Sequence, residues 1–375
     1  MSERIDGIRP PWEAGSRPKA MVAMSGGVDS SVAAYLTLQQ GFETIGVTMK
    51  LYDNEMIGEE KCGTCCSLSD VEDARSVANR LGIKYYVFNF EDDFENQVIR
   101  RFVSAYENGL TPNPCIDCNR YLKFQRLFRR GQELGQDKIV TGHYARVGFD
   151  PGSGRYLLKK AVDQKKDHSY VLYALEQEQL SRAMFPLGEM TKEQARAIAE
   201  EQGFINAHKH DSQDICFVPD GDYAGFIRRY TGKDYPPGDF VDREGNVLGT
   251  HKGIIRYTIG QRKGLGLALK EPMYVCEKDI IGNKVILGRN EDLFSRVVYA
   301  DRFNWIACET PPAPIRVGAK IRYSQKEAAA TVTALSEDRV RIEFDEPQRA
   351  ATAGQAAVLY DGDVVVGGGT ICEGD

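Results

Sequence analysis

The sequence predicts an α/β fold: a parallel-sheet domain, then a small central domain, then a C-terminal antiparallel β-barrel. Three observations carry this. From residue 19 to about 145, strand-like apolar runs alternate with helical periodicity, the pattern of a parallel sheet covered on both faces. From about 217, Gly and Pro become frequent, as in Tyr235-Pro236-Pro237-Gly238, and long helices stop. From about 281, short β-like runs separated by turn residues dominate.

The elements run in order. Residues 1–18 (MSERIDGIRPPWEAGSRP) lack an apolar core and read as a loose tail rather than an export signal. Lys19–Met24 is a strand, Ser30–Gln40 a helix closed by Gly41, and Thr44–Leu51 a second strand. Ser69 and Glu72 form a capping pair for a helix carrying Val71, Ala74, Ala78 and Leu81 on one face. Lys84–Phe90 is a strand, Phe94–Asn108 and Asn119–Leu134 are helices, and Lys138–Thr141 is a strand. Thr191 and Gln194 cap another helix, Thr191–Gly203. Lys284–Leu287, Arg296–Ala300, Ala319–Tyr323, Ala329–Ala334, Val340–Phe344, Ala356–Leu359 and Val364–Val366 are the barrel runs. The division expected is 1–18 tail, 19–216 catalytic, 217–280 central and 281–375 barrel.

Among 375 residues, 48 Lys and Arg against 54 Asp and Glu give a net charge of −6, which argues against a surface coated in positive charge but leaves room for a local basic groove. No apolar stretch is long enough to span a membrane, and a cytoplasmic location is expected. The nine cysteines, an odd number, fit a reduced setting better than a disulfide framework. Cys276, Cys308 and Cys372 read as core residues, and Cys62, Cys65 and Cys66 as a thiol-bearing loop.

Ala23-Met24-Ser25-Gly26-Gly27-Val28-Asp29-Ser30-Ser31 lies between the first strand and helix. Adjacent glycines allow a sharp turn with unobstructed amides, and the helix start aims its N–H groups and positive dipole end at the same place. Serine hydroxyls complete an oxyanion cradle, most naturally for phosphate. The Gly-Lys-[Ser/Thr] ending of a Walker A loop is absent. Further on, Thr111-Pro112-Asn113-Pro114 sets a rigid entry to Cys115-Ile116-Asp117-Cys118. Cys118 is expected at or just before a helix start, where the dipole favours the thiolate. Lys123, Arg126 and Arg130 form a basic stripe on that helix, either a solvated face or a phosphate track. Cys115-x-x-Cys118 admits a redox pair, half a zinc site or part of an iron–sulfur site. Cys216, in Ile215-Cys216-Phe217, would by itself read as a buried strand residue.

These motifs, with Gly142-His143-Tyr144-Ala145-Arg146, Lys166-Asp167-His168-Ser169-Tyr170 and Tyr257-Thr258-Ile259-Gly260-Gln261-Arg262-Lys263-Gly264-Leu265-Gly266, occur in one order from about residue 20 to Gly367-Gly368-Gly369. The glycine loop resembles the PP-loop of ATP pyrophosphatases, and the whole set resembles the tRNA-specific 2-thiouridylases. The resemblance implies adenylation of C2 of the wobble uridine (position 34) in tRNAs for Lys, Glu and Gln, followed by sulfur transfer. It implies that Ala23, Met24, Ser25, Gly26, Gly27, Val28, Asp29, Ser30, Met49 and Gly142 hold ATP, with Mg²⁺ as a further cofactor and Asp29 organising either the loop or that ion. Cys118 would be the nucleophile and Cys216 the persulfide carrier, while Asn113, Pro114 and Cys115 would touch the target base. His143, Lys166, Asp167, His168, Arg322, Tyr323 and Gln355 would contact tRNA. A cysteine desulfurase or a sulfur-relay protein would supply sulfur. Three departures from the family pattern stand out: Cys115 where many members carry Asp, His168 for the more usual Gln, and Gln213-Asp214 for a Thr-Gly pair. The first opens an alternative in which Cys115, Cys118 and Cys216 hold a [4Fe–4S] cluster that carries hydrosulfide. Two competing readings are a different PP-loop adenylating ligase, which does not need the cysteine pair, and a non-catalytic RNA-binding module, which does not need the intact glycine loop.

Overall fold

The structure, a computed structural model, describes residues 17–52, 68–209 and 215–374. Cys62, Cys65, Cys66, Gln213 and Asp214 lie outside them. The first unit is β1 (Lys19–Ala23), α1 (Val28–Gln39), β2 (Glu43–Lys50), α2 (Leu68–Leu81), β3 (Lys84–Asn89), then helices α3 (91–107) and α4 (114–133), and β4 (Lys138–Val140). Ala20, Met21 and Val22 of β1 are fully buried because β1 lies inside the sheet, parallel to β2 on one side and β4 on the other. Next come a hairpin of β5 (Arg146–Asp150) and β6 (Arg155–Lys159), and β7 (Ala183–Met184), which adds to the sheet and gives the order β3-β2-β1-β4-β7. Val28, Val32, Ala33 and Ala34 of α1 pack with Ala74, Val77 and Ala78 of α2 on one face. The other face packs Phe94, Val98, Phe102, Leu122 and Leu127 of α3 and α4.

The central unit is a four-stranded sheet of β8 (Gly238–Val241), β9 (Val247–His251), β10 (Tyr274–Asp279) and β11 (Lys284–Gly288), in the order β10-β11-β8-β9. The run at 284–287, expected in the barrel, belongs here instead, because Val285 pairs with Lys278 on β10 and with Phe240 on β8. The barrel begins at β12 (Phe294–Trp305) and continues through β13 (Ile315–Lys320), β14 (Ala328–Ala334), β15 (Val340–Arg349), β16 (Ala356–Asp361) and β17 (Val364–Cys372). Pairing of β12 with β17 closes six antiparallel strands on themselves, which leaves no free edge inside the ring. The β5–β6 hairpin, which the sequence pattern does not signal, is attached to β17 through β6.

Two helix starts differ from expectation. The helix at 68 already includes Ser69, so Ser69 is inside its first turn rather than at its cap. The helix bearing Cys118 starts at Pro114: the Asn113 side chain accepts from the Cys115 N–H at 3.1 Å, and Pro114 occupies the first helical position. Cys118 therefore sits a turn inside, opening a π-type stretch (Cys118–Arg126) that runs into Leu127–Glu133. The cap expected at Thr191 is present as a reciprocal box with Gln194.

Phe217 links the sheet domain to the central unit. It is 1 % exposed and meets Phe94, Phe102 and Phe226 with ring centroids at 5.6, 5.2 and 5.2 Å. Replacing Phe217 by Ala should lower the unfolding free energy by about 3–5 kcal/mol, through lost transfer energy plus a cavity. Urea titration checks this, and a loss below about 1 kcal/mol would show that these rings do not hold the junction.

Candidate active site

The loop after β1 is fixed before any ligand arrives. Thr48 donates its hydroxyl to the Met24 carbonyl at 2.6 Å, and the Ser25 N–H donates to Ser30 Oγ at 3.1 Å. Gly26 has φ +74°, a region glycine enters without strain, and it sits against the Asp70 backbone. Gly27 caps α1 with no side-chain acceptor on the first-turn amides, while Ser30 and Ser31 donate back to its carbonyl at 3.0 and 3.1 Å. Asn206 donates to the Gly26 carbonyl and to Ser31 Oγ, both at 2.9 Å. Gly142 comes from the end of β4, and a Cβ there would stand 2.8 Å from the Asp29 carbonyl carbon and the Ser30 nitrogen. Ala23, Met24 and Val28 line the same turn, and Met49 lies near the end of β2, partly buried. The expected nucleotide-binding residues thus converge on the carboxyl ends of β1, β2 and β4, where ligands of open parallel sheets bind.

Asp29 is engaged on both carboxylate oxygens. Lys192 Nζ lies 2.7 and 2.8 Å from them, and the Tyr144 hydroxyl donates to Oδ1 at 2.9 Å. No group of three His, Cys, Asp or Glu side chains that could hold a metal ion exists among the described residues. The residues present thus do not form a preassembled magnesium site at Asp29 or a three-thiolate cluster site.

Behind Asp29 a polar network runs to α4. The Tyr144 N–H donates to His168 Nδ1 at 3.1 Å, which fixes that nitrogen as unprotonated. His143 lies 2.7 Å from Thr141 Oγ1 through Nδ1 and 3.5 Å from Lys123 Nζ through Nε2. Burial, then Lys123 and His168, holds His143 well below the ordinary histidine value. Burial, then Lys123, pushes His168 down to about 4. Both rings are neutral near pH 7.

The cysteines occupy one side of this arrangement. Cys118 and Cys216 are each partly buried and pack against the same apolar cluster, which also holds Tyr52, Phe94 and Phe217. The Tyr52 hydroxyl, just beyond β2, donates to the Cys216 carbonyl at 2.9 Å. Cys115 is exposed, close enough to Tyr323 of the barrel to push its phenol pKa up, after burial and Asp167. Burial raises the Asp117 pKa against the pull of Arg101, whose Nε lies 3.3 Å away.

Barrel residues reach the same loop. Gln355 donates to the Thr111 carbonyl at 2.7 Å, and the Thr111 N–H donates to the Ala353 carbonyl at 3.0 Å. The Tyr323 hydroxyl donates to the Asp167 carbonyl at 3.2 Å. Asp167 is itself tied to Ala161 and Ser169, and Lys166 beside it is partly buried. Arg322 turns inward to the carbonyl of Ala350 and the hydroxyl of Thr352. Asn113 and Pro114 start α4 next to these groups. In the basic stripe, Arg126 pairs with Asp93 and Arg130 with Glu133, and with Arg129 they line a cleft of about 350 Å³ beside Phe88 and Asn89. Lys192 and Asn206 carry no sequence signal as site residues, and Tyr144 lies in the 142–146 motif without a role of its own there; each joins the loop from more than 100 positions away.

Two outcomes are expected. Gly142→Ala should displace the start of α1 and weaken nucleotide binding at least tenfold, measured by calorimetry; unchanged affinity would mean that the approach of β4 to α1 is not needed. A histidine held near pH 4 contributes stability that is complete above about pH 6.5 and is lost as pH falls toward 4, on the order of 3 kcal/mol. His168→Gln should therefore flatten the decline of urea stability between pH 6.5 and 4.5. An unchanged slope would contradict the assigned burial.

Residues 18–220 match a family profile described as "tRNA methyl transferase HUP domain", 224–289 match "tRNA methyl transferase PRC-barrel domain", and 295–371 match "Aminomethyltransferase beta-barrel domain". The chain is 52 % identical over 353 residues to tRNA-specific 2-thiouridylase MnmA of Clostridioides difficile (strain 630), covering 94 % of this chain and 98 % of that one. It is 54 % identical over 357 residues to the protein of the same name from Acetivibrio thermocellus, covering 95 % and 99 %. Such identity across nearly the whole length of both relatives, together with three matched segments in the order of the three sheets, establishes that the chain belongs to the tRNA-specific 2-thiouridylase family.

Proposed function

We propose that the protein uses ATP to replace the C2 oxygen of the wobble uridine, position 34, of tRNAs for Lys, Glu and Gln by sulfur, giving 2-thiouridine, AMP and pyrophosphate. The observation that carries this reading is the pair of thiols, Cys118 and Cys216, bordering one apolar cluster that runs from the sheet bearing the glycine loop into the central unit. The family descriptions speak of methyl transfer and the relatives' names of 2-thiolation. Two cysteines from distant segments that border one apolar cluster, in a chain that also carries the glycine loop, suit sulfur transfer.

The uridine C2 oxygen is a poor leaving group. Attack of that oxygen on the α-phosphorus breaks the bond to the β-phosphate, releases pyrophosphate and leaves C2 joined to AMP. The amides at Gly26–Ser30 would cradle the phosphates, with Met49 and Gly142 bounding the nucleotide. A persulfide on Cys216 then supplies sulfur. Its terminal sulfur attacks C2, expelling AMP, and the Cys118 thiolate attacks the remaining Cys216 sulfur, leaving thiouridine and a Cys118–Cys216 disulfide. If Cys118 instead attacks first, hydrosulfide is released and attacks C2, with the same disulfide as product. In both routes sulfur gains two electrons and the two thiols lose them, so an external thiol must reduce the disulfide before the next turnover. A cysteine desulfurase or relay protein recharges Cys216. Reduced thiols and tRNA coexist in the cytoplasm, which is where we place the reaction.

The base must leave its stack to reach this pocket, and the single-stranded anticodon loop keeps that cost low. Asn113, Pro114 and Cys115 would meet the flipped base, and Lys166–His168, His143, Arg322, Tyr323 and Gln355 would shape the surrounding tRNA contact. His143, Arg322 and Gln355 are half-buried, and the hydrogen bonds of Arg322 and Gln355 to backbone carbonyls suit holding the protein surface in shape more than direct contact with phosphate. Among the described residues no helix is long and apolar enough to cross a membrane.

Cys118→Ser and Cys216→Ser should each reduce 2-thiouridine, measured by mass analysis of tRNA nucleosides, at least a hundredfold. Affinity for tRNA should stay within about threefold, since neither change removes a charge that neutralises phosphate. Substantial thiolation by either variant would overturn the two roles.

A further inference from the structure

The Lys192 ammonium is bonded to the glycine loop's own helix, and Lys192 lies outside the site residues read from the sequence. Its side chain is only 7 % exposed. A lysine is seldom buried this deeply unless its charge is answered, because desolvating an ammonium is costly. Here the answer comes from Asp29, which is itself 28 % exposed and sits in the first turn of α1. A carboxylate at that place favours the helix dipole but opposes any anion approaching the same amides. The ammonium cancels that opposition.

The stem of Lys192 is anchored while its tip is adaptable. Lys192 opens α5 (Lys192–Glu201), its N–H donates to Asp163 Oδ2 at 3.1 Å, and the reciprocal Thr191–Gln194 box fixes the turn. Beyond that anchored backbone lie a flexible four-carbon stem and a rotating three-donor head.

We propose that Lys192 exchanges partners when ATP occupies the loop: its ammonium leaves Asp29 for the β- and γ-phosphates and stabilises pyrophosphate as it departs. The inference rests on the ATP-dependent reading above. As the bond between the α-phosphorus and the bridging oxygen breaks, its electron pair goes to that oxygen, and Lys192 meets the new charge with hydrogen bonds and transfers no proton. AMP lacks the two phosphates that Lys192 would hold, so the lysine serves ATP and not AMP. Once pyrophosphate has gone, the ammonium returns to Asp29.

Calorimetric titration of the full-length protein with ATP and with AMP tests this, using wild type, Lys192→Gln, Lys192→Arg and the double variant Asp29→Asn/Lys192→Gln. A lost charged hydrogen bond to phosphate corresponds to about a ten- to hundredfold loss of affinity. Lys192→Gln should weaken ATP by that factor and AMP by less than about threefold. Lys192→Arg should recover part of the ATP affinity. The double variant, which leaves no unpaired carboxylate, should still fail to prefer ATP. Equal losses for ATP and AMP would overturn the proposal, since the lysine would then only support the fold. Wild-type preference for ATP in the double variant would overturn it too, because Lys192 would act only through Asp29. If the wild type itself bound no ATP, the adenylation reading would fall first, a result distinct from either of these.

Discussion

Backbone packed directly on backbone is the constraint on which the rest of this molecule depends. Gly142, at the end of β4, touches the first turn of α1, and Gly26 rests against the backbone of Asp70 in α2. Three segments therefore fix the position of one helix N-terminus with main-chain atoms, which lack rotamers and cannot relax. The placement of the amides at that terminus therefore depends on these close main-chain approaches. Charge placement follows from this: the turn held by these contacts carries Asp29 to hydrogen-bond distance of Lys192.

The barrel supports the catalytic segment as well as forming a unit of its own. Gln355 and Ala353 hold both backbone groups of Thr111, two residues before the cap that starts α4. Tyr323 reaches the carbonyl of Asp167, and Lys160 of the first unit pairs with Glu327 of the barrel. A third apolar cluster mixes Ile116, Phe124 and Tyr170 with Ala356, Val358 and Tyr360. The segment that leads into Cys115 is thus positioned by contacts from the barrel.

Much of this is legible in the sequence, for reasons that are local. The glycine loop between an apolar run and a helix, the Thr191–Gln194 box and the alternating barrel strands all have short-range signatures. The features that escape are long-range or set by stereochemistry a few residues upstream. Lys192 and Asn206 are ordinary residues whose roles arise only when the chain returns to the loop, and Tyr144, though inside a recognisable motif, shows its bond to Asp29 only in the fold. Two prolines suggest an extended entry that would put Cys118 at a helix start, yet the Asn113 side chain begins the helix earlier. β11 carries the same alternating pattern as a barrel strand, and only its pairing with β8 and β10 assigns it to the central sheet. The hairpin at 146–159 is short and polar in parts, so its strand character comes from its partner β17.

That hairpin has a consequence for biosynthesis. Lys159 of β6 faces Val364 of β17, so 364 − 159, or 205, further residues must be translated before the two can meet. At roughly 5–20 residues per second, the outer edge of β6 waits about 10–40 s on the ribosome without its permanent neighbour. During that interval Leu158, which ends up fully buried, has nothing to cover it from the far end of the polypeptide. The first unit of this protein can complete its parallel sheet while still tethered, but its last seam waits for residue 364 to emerge, so the newborn chain carries for that interval an apolar edge that the mature one covers.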